Sequence, residues 1–310
     1  MLQLNGHVGT VHALTFTPNG QTLISAGRDR SIRLWDLGRG KLESTLSGHL
    51  GAVFCLSLSS DGRMLASGGE EAMVRIWDIW SGQILGILPK QIAKITGLAW
   101  FPHKQTLAIA CGERLQPDRA GELQLCNLFA VSPDAEAGEV GKTPPQAPSL
   151  RLEKNGIWCL AIAEGPMLAF GGGARAVTAW DLKRKEPTLV RQSTNCLTVA
   201  LSRDGKWLAA SADRVVKLYD VQRAREIATL EGHKGMIRAL AFSPDGHTLA
   251  TGSADKTIRF WSVGSTGPIE PRRVFEWPIG GVHSLAYSPD GMVAAAAGDN
   301  GTIVVWDVDV

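Results

Sequence analysis

Residues 6–36 read GHVGTVHALTFTPNGQTLISAGRDRSIRLWD, and residues 48–78 read GHLGAVFCLSLSSDGRMLASGGEEAMVRIWD. The same order of residue types returns at 232–262 as GHKGMIRALAFSPDGHTLATGSADKTIRFWS. Gly6 and Gly48 are 42 positions apart, and so are Trp35 and Trp77. A period of this length is typical of an array of small structural units that pack against one another.

Weaker copies of this stretch fill the rest of the 310-residue chain. They end at LQLCNL (123–128), VTAWDL (177–182), VKLYDV (216–221) and IVVWDV (303–308). Seven copies result, and the Trp position recurs at intervals of 39 to 54 residues.

Each copy contains the same succession of short segments. An alternating apolar run such as VHALTF predicts a strand, and a tight turn such as SPDG follows, with Gly at the position that needs a positive φ. Runs such as TLISAG, SIRLWD and KLESTL predict three further strands. Four short antiparallel strands cannot bury both faces of their sheet alone. Stacking the units, and closing the stack into a ring, buries those faces.

The composition argues against several classes of partner. Lys and Arg number 32 against 30 Asp and Glu, so a net charge of +2 gives no broad field to attract nucleic acid or an acidic membrane. No apolar run reaches the ~18 residues of a membrane span. The N-terminal MLQLNGHVGT lacks the basic and apolar regions of a signal peptide. We therefore expect a cytoplasmic protein with no nucleic-acid or membrane partner, whose five cysteines are buried thiols.

The recurring GH…WD pattern resembles the WD-repeat β-propeller family, and the resemblance covers essentially the whole chain. It implies an all-β fold in which residues 1–310 form a single domain, a seven-bladed β-propeller of four-stranded antiparallel blades. In this family strands a, b, c and d run from the axis outwards, GH precedes strand a, and WD closes strand c. Leu2–Leu4 should therefore add as an outer strand to the C-terminal blade, Gly281–Val308, and close the ring.

The repeats also contain the residue types of a hydrolytic triad, as in His7, Ser25 and Asp29. An enzyme needs one such site, whereas a structural device repeats, so the repetition argues against catalysis. The resemblance implies a buried network in which the acid orients the His, the His engages the Ser or Thr, and that hydroxyl accepts the indole N–H. The predicted network residues are His7, Ser25, Asp29 and Trp35; His49, Ser67, Glu71 and Trp77; and His233, Thr251, Asp255 and Trp261.

Four copies lack parts of this network. The substitutions are Cys126 and Asn127 for Trp–Asp, Phe170 for Ser with Ala174 for Asp, Tyr219 for Trp, and Ala296 with Asn300 in the copy that keeps Trp306. Blades 3, 4 and 5 are therefore expected to be the least regular. Two insertions in blade 3, at 111–122 and 129–149, should emerge on opposite faces, and the second is either surface decoration or a partner-docking arm.

No motif predicts a cofactor, a metal or a catalytic residue. EVGKT (139–143) resembles the end of a phosphate-binding loop, but Glu136 occupies the position of its first Gly. The seven His are scattered along the chain.

In the WD-repeat family the d–a and b–c loops share one face, and partners commonly dock there at the mouth of the central channel. Aligning the copies on the first residue of strand a, usually Val or Ile, places the next residue at that mouth. The residues predicted to bind a partner are His12, Phe54, Thr96, Trp158, Leu197, Arg238 and His283, with Met236 before strand a and Arg28 and Glu70 before the acid of the b–c turn. Phe54 and Trp158 have an alternative role, packing between neighbouring blades.

These observations predict a non-catalytic scaffold, monomeric alone, that binds a protein or peptide partner at this channel-mouth face. The alternative is a propeller that binds a small ligand or catalyses a reaction in its central channel. That alternative would need clustered carboxylates, His or Arg at the mouth.

Overall fold

The computed structural model describes residues 1–102, 105–113, 121–128, 149–152, 156–172, 176–192, 196–264, 269 and 271–308. Every regular element in these ranges is a β-strand, and none of them holds a helix long and apolar enough to span a membrane. The strands form seven four-stranded antiparallel sheets. The predicted all-β, seven-bladed propeller is confirmed.

Six blades are built from four consecutive strands, and the seventh takes its outer strand from the N-terminus, β1 (Leu2–Leu4). Blade 1 contains β2 (Val11–Phe16), β3 (Thr22–Gly27), β4 (Ile32–Asp36) and β5 (Lys41–Leu46). Blade 2 contains β6 (Val53–Leu58), β7 (Met64–Gly69), β8 (Val74–Asp78) and β9 (Ile84–Ile87). Blade 3 contains β10 (Ile95–Trp100), β11 (Thr106–Cys111), β12 (Gly121–Asn127) and β13 (Ser149–Leu152). Blades 4 and 5 contain β14 (Ile157–Ile162), β15 (Met167–Gly172), β16 (Ala176–Asp181), β17 (Glu186–Gln192); β18 (Val199–Leu201), β19 (Trp207–Ala212), β20 (Val215–Asp220) and β21 (Arg225–Leu230). Blades 6 and 7 contain β22 (Ile237–Phe242), β23 (Thr248–Ser253), β24 (Thr257–Ser262), β25 (Pro271–Glu276); β26 (Val282–Tyr287), β27 (Val293–Gly298) and β28 (Ile303–Asp307).

The turn between strands a and b has the same chemistry in five blades. In blade 6 the Ser243 hydroxyl donates to Asp245 Oδ1 at 2.5 Å and accepts the Thr248 N–H at 2.9 Å. Gly246 follows with a φ of 72°, a left-handed conformation that glycine adopts at little cost. The equivalent pairs are Thr17 and Asn19, Ser59 and Asp61, Ser202 and Asp204, and Ser288 and Asp290. The SPDG-like motif therefore sets the end of strand a and the start of strand b locally.

The hydrophobic core is divided among the interfaces between neighbouring blades. Seven clusters of buried side chains occur, and each draws its members from two neighbouring blades. Strand a of every blade contacts strand a of the next, and β26 of blade 7 contacts β2 of blade 1. The blades thus form a closed ring with their first strands around the axis.

The N-terminal strand completes blade 7. Leu2 pairs with Val305 and Leu4 with Ile303 in the antiparallel ladder between β1 and β28. Leu4 is 1% exposed and packs in the cluster shared by blades 7 and 1. Closure by Leu2–Leu4, as the repeat offset predicted, agrees with this sheet.

Two expectations about the irregular blades fall largely outside the described residues. Ala174 and most of both insertions, at 114–120 and 129–148, are not described, so the prediction that the insertions emerge on opposite faces stays a prediction. Within the described part, strand a of blade 5 has only three residues, Val199–Leu201, where the other six blades have six.

Deleting residues 1–5 should lower the melting temperature and promote self-association through the uncovered edge of β28. Burial of Leu4 alone is worth ~1.5–3 kcal/mol. The measurement is thermal unfolding followed by circular dichroism, with size-exclusion chromatography for association. Gln3→Ala, at an exposed position of β1, is the control and should melt like wild type. An unchanged melting temperature after the deletion would contradict the closing role of β1.

Candidate functional site

A chain of hydrogen bonds joins strands β3 and β4, the b–c turn between them and the d–a loop inside blade 1. Trp35 Nε1 donates to Ser25 Oγ at 2.7 Å, and Ser25 Oγ lies 2.7 Å from His7 Nε2. His7 Nδ1 lies 2.8 Å from Asp29 Oδ2. Because the Ser25 oxygen accepts the indole hydrogen, its own hydrogen is available to His7 Nε2. The histidine proton then sits on Nδ1 and is donated to Asp29.

Blades 2 and 6 repeat this arrangement. In blade 6 the distances from Trp261 to Thr251, from Thr251 to His233 and from His233 to Asp255 are 3.0, 2.8 and 3.0 Å. In blade 2, Trp77 donates to Ser67 at 2.7 Å, Ser67 lies 2.6 Å from His49, and His49 bonds Glu71.

The geometry resembles a catalytic triad, but the hydroxyl cannot act as a nucleophile. Ser25, Ser67 and Thr251 are each 0% exposed, and each hydroxyl oxygen already accepts an indole N–H. A substrate therefore has no access to the oxygen that would attack it. The chains stabilise the blades by satisfying buried polar groups.

An arginine two residues before the tryptophan extends the network and was not predicted from the sequence. Arg75 donates to Glu71 in blade 2, and Arg33 Nη2 lies 3.8 Å from Asp29 Oδ2 in blade 1. In blade 6 a Cβ on Gly232 would lie 2.7 Å from Arg259 Nη1, so the side chain packs where only glycine fits. The sequence did contain a signal for this arginine. It recurs two residues before the tryptophan in IRLW, VRIW and IRFW, and all three copies also carry the GH pair.

The buried networks shift the acidity of their members. Burial would raise the pKa of Asp255, but hydrogen bonds from the Thr257 hydroxyl, from the N–H groups of Thr257 and Lys234, and from His233 outweigh it and hold the pKa below its ordinary value. Burial lowers the pKa of His233 and of His49 and outweighs the attraction of the neighbouring carboxylates. These two histidines are therefore built into the fold in their neutral form.

All ten predicted partner-binding residues lie around two adjoining cavities on one face. The central channel forms a cavity of about 790 Å³. Its lining includes His12, Phe54, Thr96, Trp158, Leu197, Met236, Arg238 and His283. A second cavity of about 450 Å³ lies between blades 1 and 2 and is lined by Arg28 and Glu70 together with His12 and Phe54.

Six of these side chains sit at a β-bulge, which explains how they reach the mouth. In blade 1, Val11 pairs with Gly27 and Ala13 pairs with Ala26, so the register shifts by one residue and His12 is the extra residue of the bulge. A bulge turns the extra residue out of the regular alternation and re-aims its side chain. The residues in the same position in other blades are Phe54, Thr96, Trp158, Arg238 and His283. Leu197 lies two residues before β18, outside the ladder.

The mouth has two chemically different halves. Blades 6, 7 and 1 contribute Arg238, His283 and His12, while blades 2, 4 and 5 contribute Phe54, Trp158 and Leu197. His12 contacts both sides, with ring centroids 5.3 Å from Phe54 and 5.7 Å from His283. Thr96 of blade 3 already donates its hydroxyl to the Ile157 carbonyl at 2.6 Å and so ties blade 3 to blade 4.

Asp299 belongs to this mouth and was not predicted. Its Oδ1 lies 2.7 Å from His283 Nε2, which also lies 2.6 Å from Arg238 Nη1. In blade 7, Asp299 occupies the position that Arg28 and Glu70 hold in blades 1 and 2. The rule that found those two residues required a following acid, and Asn300 stands there instead.

The described residues contain no group of three or more His, Cys, Asp or Glu side chains placed to hold a metal ion.

Comparison with known proteins agrees with the geometry. The WD40 family, described as WD domain, G-beta repeat, matches residues 1–36, 40–78, 186–220, 224–262 and 270–307, which is more than half of the chain. The protein belongs to the WD40 family.

Individual relatives match this WD40 protein over different lengths. A guanine nucleotide-binding protein subunit beta of Arabidopsis thaliana is 25% identical over 84% of this chain and 58% of its own. An uncharacterized WD repeat-containing protein of Synechocystis sp. is 36% identical over 34% of this chain and 32% of its own. Transcription factor unc-37 of Caenorhabditis elegans is 33% identical over 42% of this chain and 22% of its own.

This WD40 chain therefore spans between a fifth and three fifths of the length of these relatives. WD40 propellers are generally non-catalytic, and relatives of this kind suggest a protein-interaction scaffold.

Substituting the b–c turn acid should cost more stability in a blade that has the complete network than in a blade that lacks it. Asp255→Ala removes the acceptor of His233, and we expect a loss of ~1–3 kcal/mol in the free energy of unfolding. Asp213→Ala, in blade 5, should cost less, because that blade has no His–Thr–Trp chain. Urea unfolding of both variants gives the comparison, and equal losses would contradict the stabilising role of the network.

Acid should destabilise the protein before its ordinary carboxylates titrate. The pKa of His49 and His233 is lowered by folding from 6.5, so the unfolded chain takes up these protons first and stability falls as pH drops below about 6.5. The lowered pKa of Asp255 and Glu71 adds a second loss as pH falls below about 4. Melting temperatures between pH 7.5 and pH 5 test the first step.

The double variant His49→Gln and His233→Gln is the control for that first step. Its overall stability is lower, but its melting temperature should vary less across the same range of pH. A slope equal to that of wild type would show that other groups cause the loss.

Proposed function

We propose that this protein is a non-catalytic scaffold that binds a protein or peptide partner at the channel-mouth face. The observation that carries the proposal is the ring of bulged residues around the 790 Å³ cavity. The bulges direct aromatic, cationic and apolar side chains towards solvent at one place, and the ladder itself does not need those types.

The residue types support a peptide or protein partner. Trp and Arg are enriched among residues whose truncation costs most binding energy, and Trp158 and Arg238 stand on opposite halves of the mouth. Phe54 lines both cavities, so a bound segment could pass from the channel mouth to the joint between blades 1 and 2. Such a segment would meet apolar contacts on one side and hydrogen-bond donors on the other.

A second candidate function is the binding of a small polar ligand in the channel. It is supported by the contacts among Arg238, His283 and Asp299, and by a cavity volume within the range of small-molecule sites. A small ligand would reach the Arg238 half of the mouth without needing Trp158 on the opposite wall, whereas a peptide would use both.

Trp158→Ala and Arg238→Ala should each weaken partner binding by ~1–3 kcal/mol. A partner captured by affinity purification from the native host, then purified, allows isothermal titration with each variant. Arg223→Ala, which removes an exposed arginine that pairs with Asp220 in the c–d turn of blade 5, should bind like wild type. Wild-type affinity in both mouth variants would refute the site.

A further inference from the structure

One position of the repeat is held outwards by the backbone. The N–H of the residue after the network histidine donates to the network acid: Val8 to Asp29 at 3.1 Å in blade 1, and Leu50 to Glu71 at 3.3 Å in blade 2. Because the acid fixes the backbone from within the blade, the side chain faces solvent. Lys234, whose N–H donates to Asp255 in blade 6, is the residue type expected at such a position.

Three adjacent blades place aliphatic side chains there instead. The side chains are those of Val8, Leu50 and Ile92, which are 76%, 77% and 58% exposed. Each lies three residues before the start of strand a in its blade. We call these three residues the aliphatic arc. In blade 7 the corresponding Ile279 is 0% exposed, so an aliphatic residue at this position can be used by the core. In blades 1 to 3 the core does not use it, and the fold gains nothing from the exposed apolar surface.

Two arginines, Arg28 and Arg30, stand beside the arc. Arg28 and Arg30 line the 450 Å³ cavity between blades 1 and 2, and so does Leu50. Neither guanidinium forms an ion pair with the part of the chain that the structure describes. The acid in this cavity, Glu70, is engaged elsewhere, since it accepts the Ala52 N–H at 3.2 Å and lies 3.9 Å from Lys94 Nζ.

We propose that the aliphatic arc, Arg28 and Arg30 form a docking surface over blades 1 to 3 for a protein segment that carries apolar side chains next to Asp or Glu. The apolar side chains cover the arc, and the carboxylates pair with the two arginines. The charge complementarity favours an acidic segment over a basic one. This inference rests on the proposed function, that the face binds a protein partner, and adds the partner's chemistry and the blades that it crosses.

The probe is a phage-displayed library of random peptides of about twelve residues, selected on the immobilised full chain. The selected peptides should combine aliphatic or aromatic residues with Asp or Glu. The triple variant Val8→Ser, Leu50→Ser and Ile92→Ser should weaken their binding roughly ten-fold or more. The double variant Arg28→Glu and Arg30→Glu should weaken it similarly, and added salt should weaken wild-type binding because both arginines are exposed.

The matched control is Val190→Ser with Val274→Ser. These residues are 51% and 47% exposed but lie on outer strands β17 and β25, away from the arc. Wild-type affinity in this control, with unchanged melting of all variants, attributes the loss to the arc.

Three results would overturn this inference, and a fourth would overturn the proposed function with it. The first is a peptide set without acidic residues, and the second is failure of the library to enrich on wild type over the triple variant. The third is a set of peptides that lose affinity with Trp158→Ala or Arg238→Ala but not with the arc variants, which would leave the proposed function intact. Peptides indifferent to both groups of variants would count against both proposals.

Discussion

A four-stranded sheet with two apolar faces has to be covered on both sides, and in this protein only the neighbouring sheets can do so. Every joint between blades therefore carries its own cluster of buried side chains, including the joint between blade 7 and blade 1. Closing the ring is the one arrangement of seven such sheets that leaves no face uncovered. The convergence of seven first strands on one axis, and the cavity between them, follow from this requirement.

The same requirement separates stabilising residues from binding residues along each repeat. Polar groups that lie between packed faces must be satisfied internally, and the tryptophan, hydroxyl and histidine chains of blades 1, 2 and 6 do this. At the axis, a bulge releases one residue from the ladder in six blades, so its identity varies from histidine to tryptophan without disturbing the pairing. Packing between blades therefore fixes the residue types of the network, whereas the residue at the bulge is free of that constraint.

The features that could be predicted from the sequence are those that depend on residues within a single repeat. The SPDG turn follows from comparing copies, and the network residues and the outer position of Leu2–Leu4 follow from the resemblance of those copies to the WD-repeat family. The bulge that aims His12 could not be predicted in this way, because it depends on how two strands pair. Asp299 was missed because Asn300, not an acid, follows it in the b–c turn. Arg30 was missed because it follows the acid of that turn, whereas the rule took the residue before the acid. The arc was missed because Ile92 lies in a copy without the GH pair, where the alignment of copies is weakest.

The pairing of β1 with β28 has a consequence for how the molecule is made. The two strands are separated by some 300 residues of chain, so during synthesis the N-terminal strand waits on the order of tens of seconds for its partner. Throughout that time the first blade has one apolar face open to water, because blade 7 does not yet exist to cover it. The growing chain is an incomplete ring, and its open apolar face must be kept from associating with another copy of the chain. The last sheet to form, blade 7, closes the ring.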